Sequence, residues 1–378
     1  MKKYLLMAAV AMMAAASAQA QKMEIVDKDG NAVPYASVMT ADATLIGVTG
    51  MDGVIADIGG AKTVVISHVA YQPKTVSILG DSSFGGLGNS PNDQTTNAPN
   101  DQSCLRVTLD DADFNLPEIT VTKKDYTYLQ MYYRVIIIDK DGVLYYRSGI
   151  MDNFLNEKNG KQETSKQHIT MSKSGTMKVA FNLLLGDKID AKAKIHPEPL
   201  EQSMLKKFNS QGLRFVDAGS GKKNIVDNYG TLGSVVDRDG QRRFTIDAYQ
   251  SALHRLEAEG KTKKLEKRLE RDAKMENRVN SSYRAYAIDE SGHYRPEDYL
   301  MEQHMMTWED SKNGHALIIM DYFATDRAYL SKEQVKQTKR DNKVKLSYNY
   351  LQQFERQHRI PALAPEVLAK MKELVDKD

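Results

Sequence analysis

Three Asp-x-Asp-Gly tetrapeptides, at Asp27–Gly30, Asp139–Gly142 and Asp237–Gly240, interrupt runs of β-branched and aromatic residues. An Asp-Gly pair supplies the positive φ that a tight hairpin turn demands. Each copy therefore predicts a hairpin. Tyr126 to Ile138 and Val143 to Tyr146 flank the second copy, and Ser234 to Val236 and Arg243 to Ile246 the third. A calcium-loop reading of the repeat fails, because an EF-hand needs a third oxygen ligand before its Gly and a Glu six residues after it.

The N-terminus carries an expected address. Met1-Lys2-Lys3 is followed by an apolar run from Tyr4 to Ala16 and then by Ser17-Ala18-Gln19-Ala20. That is the order of a secretory signal, with cleavage between Ala20 and Gln21. The apolar run of 13 residues is too short for a membrane-spanning helix, and no later stretch is long enough. We expect residues 1–20 to be a signal peptide, and the mature chain to be exported to the periplasm or outer-membrane surface with no transmembrane segment. Of the 52 Lys and Arg, Lys2 and Lys3 lie in the signal, so the mature chain carries 50 against 50 Asp and Glu. Such a balance gives no bulk attraction to a polyanion, and nucleic acid is not an expected partner. The single Cys104 can only stay free or pair between chains.

Residues 22–78 read as short strands. Thr63-Val64-Val65-Ile66-Ser67 is one β-branched run, Thr75 to Ile78 another, and turns recur every 8–12 residues or so. The stretch Val26-Asp27-x-Asp29-Gly30-x-x-Val33-Pro34-Tyr35-Ala36-Ser37-Val38, then Gly47-Val48-Thr49, Asp52-Gly53 and Ile66-Ser67-His68-Val69-Ala70-Tyr71, resembles the carboxypeptidase regulatory-like domain. The resemblance implies a prealbumin-like β-sandwich, a non-catalytic module common in exported Gram-negative proteins. Two positions depart from the pattern: Gly50 follows Thr49 where Asp or Asn is usual, and Ala70 stands where Gly is usual. Ser67 and His68 have no matching base or nucleophile elbow around them. Residues 80–104 are poor in aliphatic side chains and predict a long loop inserted before a last strand, Leu105 to Leu109. Leu116 to Thr122 resembles the segment that leads into the plug of outer-membrane receptors. The 256 residues after it cannot supply a plug and a barrel of about 22 strands of about 9–11 residues each.

The expected organisation is multi-domain: an all-β sandwich over 21–122 and an α+β domain with charged C-terminal helices over 123–378. In the second part, Thr176–Leu185 and Ala316–Phe323 read as further strands. Residues 247–279 read as helical. From His254 to Arg278 there are 9 basic and 6 acidic residues, which suits a solvated face. Ser331 and Gln334 form a capping box before a helix. Pro365 opens a last one with Val367, Leu368, Met371, Leu374 and Val375 on one face.

Chemistry is harder to find. H-E-x-x-H, G-x-S-x-G and G-x-G-x-x-G are all missing from the sequence, and no cofactor is expected. Gly219-Ser220-Gly221-Lys222 lacks the first glycine and the Ser or Thr of a phosphate loop, so it reads as a turn. His293, His304 and His315, with Glu297, Asp298 and Glu302 nearby, have the chemistry of zinc ligands. Their spacing of 11 residues fits no ligand pattern, so only convergence in the fold would make a site. Tyr126, Tyr128, Tyr132, Tyr145 and Tyr146 are either a sugar-stacking surface or ordinary cross-strand pairs. The sequence supports an exported non-catalytic protein that binds an envelope protein or glycan, its sandwich acting as spacer or interaction module. The alternative is an envelope hydrolase, acting on peptide or glycan, with its site in residues 123–378.

Overall fold

The computed structural model describes residues 21–78, 104–114, 125–176, 198–272, 278–310 and 314–375, with positions 179, 181, 182, 185 and 195. The expected signal, most of the 80–104 insertion and the 116–122 stretch lie outside the described residues. The described residues are mostly β-sheet, with 46% of them in strands, one large antiparallel sheet and a few C-terminal helices.

Seven short strands form the N-terminal part: β1 Lys22–Asp27, β2 Ser37–Thr40, β3 Leu45–Val48, β4 Val54–Ile55, β5 Thr63–Ser67, β6 Lys74–Ser77 and β7 Cys104–Leu109. They make a three-stranded sheet, β4-β1-β7, and a four-stranded sheet, β3-β2-β5-β6. β7 pairs in parallel with β1, which confirms Leu105 to Leu109 as a strand that returns to this unit. Met23, Ile25, Val38, Val64, Ile66, Val107 and Leu109 share one core between the two sheets.

Val65 breaks the alternation that a half-buried strand would show. It is as buried as Val64 and Ile66 because the other face of β5 packs on the large sheet, among Ile136, Ile138, Leu317 and Ile319. The N-terminal unit is thus docked on the rest of the chain.

The large sheet has ten strands in the order β10-β9-β8-β17-β16-β15-β14-β13-β12-β11. They are β8 Tyr126–Asp139, β9 Gly142–Asn156, β10 Gln162–Ser172, β11 Arg214–Gly219, β12 Lys222–Val226, β13 Thr231–Arg238, β14 Gln241–Asp247, β15 Asn280–Ala287, β16 Tyr299–Asp310 and β17 Gly314–Leu330. β8, β9 and β10 step outward to one edge. The chain then crosses to the opposite edge, and β11 to β17 return strand by strand until β17 pairs with β8. The Asp-x-Asp-Gly repeat behaves as a turn at every copy. Asp139–Gly142 and Asp237–Gly240 close the β8–β9 and β13–β14 hairpins. Gly30, Gly142 and Gly240 have φ of 81°, 94° and 71°, values open to glycine at no steric cost.

Around the central strands both faces of the large sheet are covered. On one, Leu129, Met131, Tyr133, Val135 and Ile137 pack with Phe181, Leu185 and helix α1, Leu200–Lys207. The opposite face carries Tyr132 and Ile136 beneath the N-terminal unit and helices α5, Tyr348–Gln357, and α6, Pro365–Val375. Helices α2, Ala248–Ala258, and α3, Thr262–Asp272, follow β14, and α4, Lys332–Asp341, follows β17. The Ser331 capping box is formed, with the Ser331 side chain accepting from Gln334 N. In α6, Val367, Met371 and Leu374 are buried as their helical spacing predicts.

One segment overturns its reading. The described positions within 175–185 are helical, not extended. Phe181 and Leu185, four residues apart, are buried, while Val179 is 61% exposed. A 3.6-residue period fits that pattern, and strand alternation does not.

Candidate functional site

The β13–β14 turn meets the first Asp-x-Asp-Gly turn of the N-terminal unit. Arg238 donates to Asp27, lies 2.8 Å from Asp29 and 3.1 Å from Asp239, and is 3.5 Å from Asp111. Lys28 reaches Asp111 at 3.1 Å, and Arg243 Nη1 donates to Asp111 Oδ1 at 3.0 Å. Burial pushes the Asp111 carboxyl up, but the Lys28 hydrogen bond and the Arg243 and Arg238 charges outweigh it and hold it below the usual range.

Beside this clasp lies a cleft of about 850 Å³ between the N-terminal unit and strands β11–β15. One wall carries Asp27, Asp29, residues 31–34, Met51, Asp52, His68 and Tyr71, and the other Lys222, Asn224, Thr231, Ser234, Arg243, Thr245 and Tyr283. Alternation on β13 and β14 sends Val235 and Phe244 to the opposite, apolar face and leaves Ser234 and Thr245 for the cleft. Gly233 lets β13 lie close against the backbone of β14. A Cβ there would meet the Thr245 carbonyl oxygen at 2.0 Å.

His68 follows β5 directly and is 4% exposed. Its ring lies 5.3 Å from that of Tyr71 and 4.9 Å from that of Tyr283, edge-on to the latter. The Ala70 N–H donates to Nδ1 at 3.2 Å, so the ring proton sits on Nε2. Burial, helped by the Arg243 charge, pushes the imidazole down to about 3. At neutral pH it is therefore an uncharged donor with its tautomer fixed by the backbone. Burial also pushes the Tyr283 phenol up to about 12. Its buried hydroxyl has no hydrogen-bond partner among the described residues. A buried unpaired hydroxyl is costly, which marks this point of the cleft wall. The site is composite: His68 and Tyr71 come from the N-terminal unit, Arg243 and Tyr283 from the large sheet.

The residues singled out by sequence fall elsewhere. His293 sits in an exposed turn, where Asp289 Oδ1 accepts its N–H at 2.9 Å and Ser291 lies 2.6 Å from its Nδ1. Glu297 is buried and accepts from the Tyr329 hydroxyl. His304 is buried against Glu302, which Arg284 also binds. His315 pairs through its backbone with Glu309. Among the described residues no three His, Cys, Asp or Glu side chains are grouped to hold a metal ion.

The aromatic surface is corrected too. Tyr128, Tyr132, Tyr145 and Tyr146 are buried and Tyr126 is half-buried, because both faces of the sheet are covered. They are cross-strand residues with internal partners: Tyr128 donates to Asp152 at 2.8 Å and Tyr145 to Asn182 at 2.7 Å. Gly219-Ser220-Gly221-Lys222 is the β11–β12 turn, and part of it lines the cleft. Cys104 is free and exposed, with no intermolecular disulfide evident. Among the described residues no helix is long and apolar enough to cross a membrane.

Sequence reasoning passed over Tyr71, Asp111, Arg243 and Tyr283, and treated His68 only as a non-catalytic residue. No local signal joins them, since they converge from separate strands and turns. No protein-family model matches the chain, and no curated protein matches it either.

Proposed function

We propose that this chain is an exported, non-catalytic binding protein of a bacterial cell envelope, and that its ligand, a neutral glycan segment, occupies the cleft between the N-terminal unit and strands β11–β15. The observation that carries the reading is the cleft of about 850 Å³, lined by hydroxyls, amides and the rings of Tyr71 and Tyr283, the Tyr283 hydroxyl having no hydrogen-bond partner among the described residues. That volume lies within the range of about 300–1,000 Å³ of ligand sites.

Apart from Lys222 and Asp52, which make no ion pair among the described residues, the charges around the cleft are spent on one another. Asp27 and Asp29 bind Arg238, Arg243 binds Asp111, and Asp237 is held by Arg242 at 2.6 Å. Beside those two, what remains for a ligand is hydroxyls and amides on Asn224, Thr231, Ser234 and Thr245, the His68 donor and two phenol rings. Neutral hydrogen-bonding groups beside aromatic rings suit a polyhydroxyl ligand. An imidazole that stays unprotonated down to about pH 3 is a weak base, which favours a positioning role for His68 over acid–base catalysis.

The signal-like sequence through Ala20 supports export. The three- and four-stranded sheets around one core support reading residues 21–122 as a prealbumin-like sandwich of the carboxypeptidase regulatory-like kind. In this reading the sandwich is one wall of the binding site. Saturation-transfer NMR with neutral and with anionic oligosaccharides tests the proposal. Transfer to the neutral set is expected, and transfer confined to the anionic set would overturn it.

A further inference from the structure

Among the described residues four arginines are almost fully buried: Arg134, Arg147, Arg243 and Arg284. Three of them have a carboxylate. Arg134 pairs with Asp321 at 2.8 Å, Arg243 with Asp111 at 3.0 Å and Arg284 with Glu302 at 2.8 Å. Arg147, 6% exposed, has none among the described residues. Its Nη2 donates to Asn182 Oδ1 at 3.0 Å and to His168 Nε2 at 3.2 Å, and its Nε approaches Thr170 Oγ1 at 3.4 Å. Asn182 and Thr170 carry no charge.

A guanidinium cannot shed its proton, so burial cannot relieve itself by neutralising the group. A buried charge without a counter-charge is strongly destabilising. The remaining hydrogen-bonding capacity is all of the donor kind. Nη1 of Arg147 makes no hydrogen bond among the described residues. Asn182 Oδ1 accepts from both Arg147 and Tyr145, and its Nδ2 donates to no described residue. A guanidinium edge and an amide N–H₂ left over at one place match an oxyanion.

We propose that Arg147, with Asn182, forms a second binding site, for a small oxyanion group: a carboxylate or a phosphate. The site lies far from the cleft. It is on β9 and the edge strand β10, whereas the cleft lies on β11–β15 at the other end of the sheet. It also uses the opposite face, since Arg147 follows the alternation of Tyr145 and Met151 in the core that the cleft residues turn away from.

Thermal melting of the full exported chain tests this, with chloride replaced at constant ionic strength by inorganic phosphate or by acetate. The wild type should melt higher by about 2 °C or more in at least one oxyanion. Arg147→Gln should lose that shift. Asn182→Asp places a carboxylate beside the guanidinium, so it should melt above the wild type in chloride and no longer respond. A shift in phosphate alone assigns a phosphoryl ligand, and a shift in acetate assigns a carboxylate. A wild type indifferent to both oxyanions would overturn the proposal. So would an Asn182→Asp protein that melts no higher than wild type and responds equally, and this arm decides even where Arg147→Gln does not fold.

Discussion

Replacing His68 by Asn should change how the stability of this protein depends on pH. Asn keeps an oxygen where Nδ1 accepts the Ala70 N–H, but it does not titrate. In the fold the imidazole is pushed down to about 3, against about 6.5 in an unfolded chain. Between those values the unfolded state binds a proton that the folded state refuses. Stability contributed by His68 is therefore full above about pH 6.5 and falls as pH drops towards about 3. The loss is about 1.4 kcal/mol for each pH unit inside the window, and about 5 kcal/mol across all of it.

Urea unfolding of both proteins between about pH 4 and pH 7 measures the effect. Burial also lowers His358, so the wild-type slope alone is ambiguous, but that residue is common to both proteins and cancels in the difference. The Asn variant should gain on the wild type steadily as the pH falls. Parallel stability curves would refute the reasoning, because they would mean that His68 is protonated in the fold and free to exchange with solvent.

Other consequences are as direct. Tyr283→Phe removes a hydroxyl that bonds to nothing, so stability should change by less than about 1 kcal/mol while oligosaccharide binding weakens; a loss of several kcal/mol on urea unfolding would show a hidden partner. Asp321→Ala strands the Arg134 guanidinium beneath the N-terminal unit and should cost about 3–5 kcal/mol by the same assay. Met371→Ala in α6 should cost about 2–5 kcal/mol, since its side chain is 1% exposed in the core shared with β5 and β17. N-terminal sequencing of the exported protein should begin at Gln21, and a sequence beginning at Met1 would remove the case for export.

Where turn chemistry or helical period is strong, the fold is legible in the sequence. Asp239-Gly240 names the β13–β14 hairpin, Ser331 and Gln334 name the start of α4, and Pro365 with Val367, Met371 and Leu374 names α6 and its buried face. Residues 175–185 misled because Val179, Phe181 and Leu185 are as acceptable to a strand as to a helix, and only burial separates the two periods. The docking of the N-terminal unit had a visible trace. Val64-Val65-Ile66 is an unbroken apolar run, the mark of a strand buried on both faces. The tyrosines of β8 and β9 showed alternation faithfully but not what covers each face. The cleft had no trace at all. Its working residues, at positions 68, 71, 243 and 283, lie in two units whose mutual packing sets the site, and no spacing rule reaches that far. Arg238 is the nearest to a clue, a cation inside a turn whose two other copies carry Lys at that position.

The claim that the cleft binds ligand rests most directly on isothermal titration of the wild type and an Asn224→Trp variant with the neutral oligosaccharides that show saturation transfer. Asn224 lines the cleft on β12, away from the apolar core, so an indole there should fill the cleft and leave the fold standing, as circular dichroism would record. The account predicts binding by the wild type and a loss of at least tenfold in affinity in the variant. Equal affinity in the two proteins would place the ligand elsewhere and contradict it.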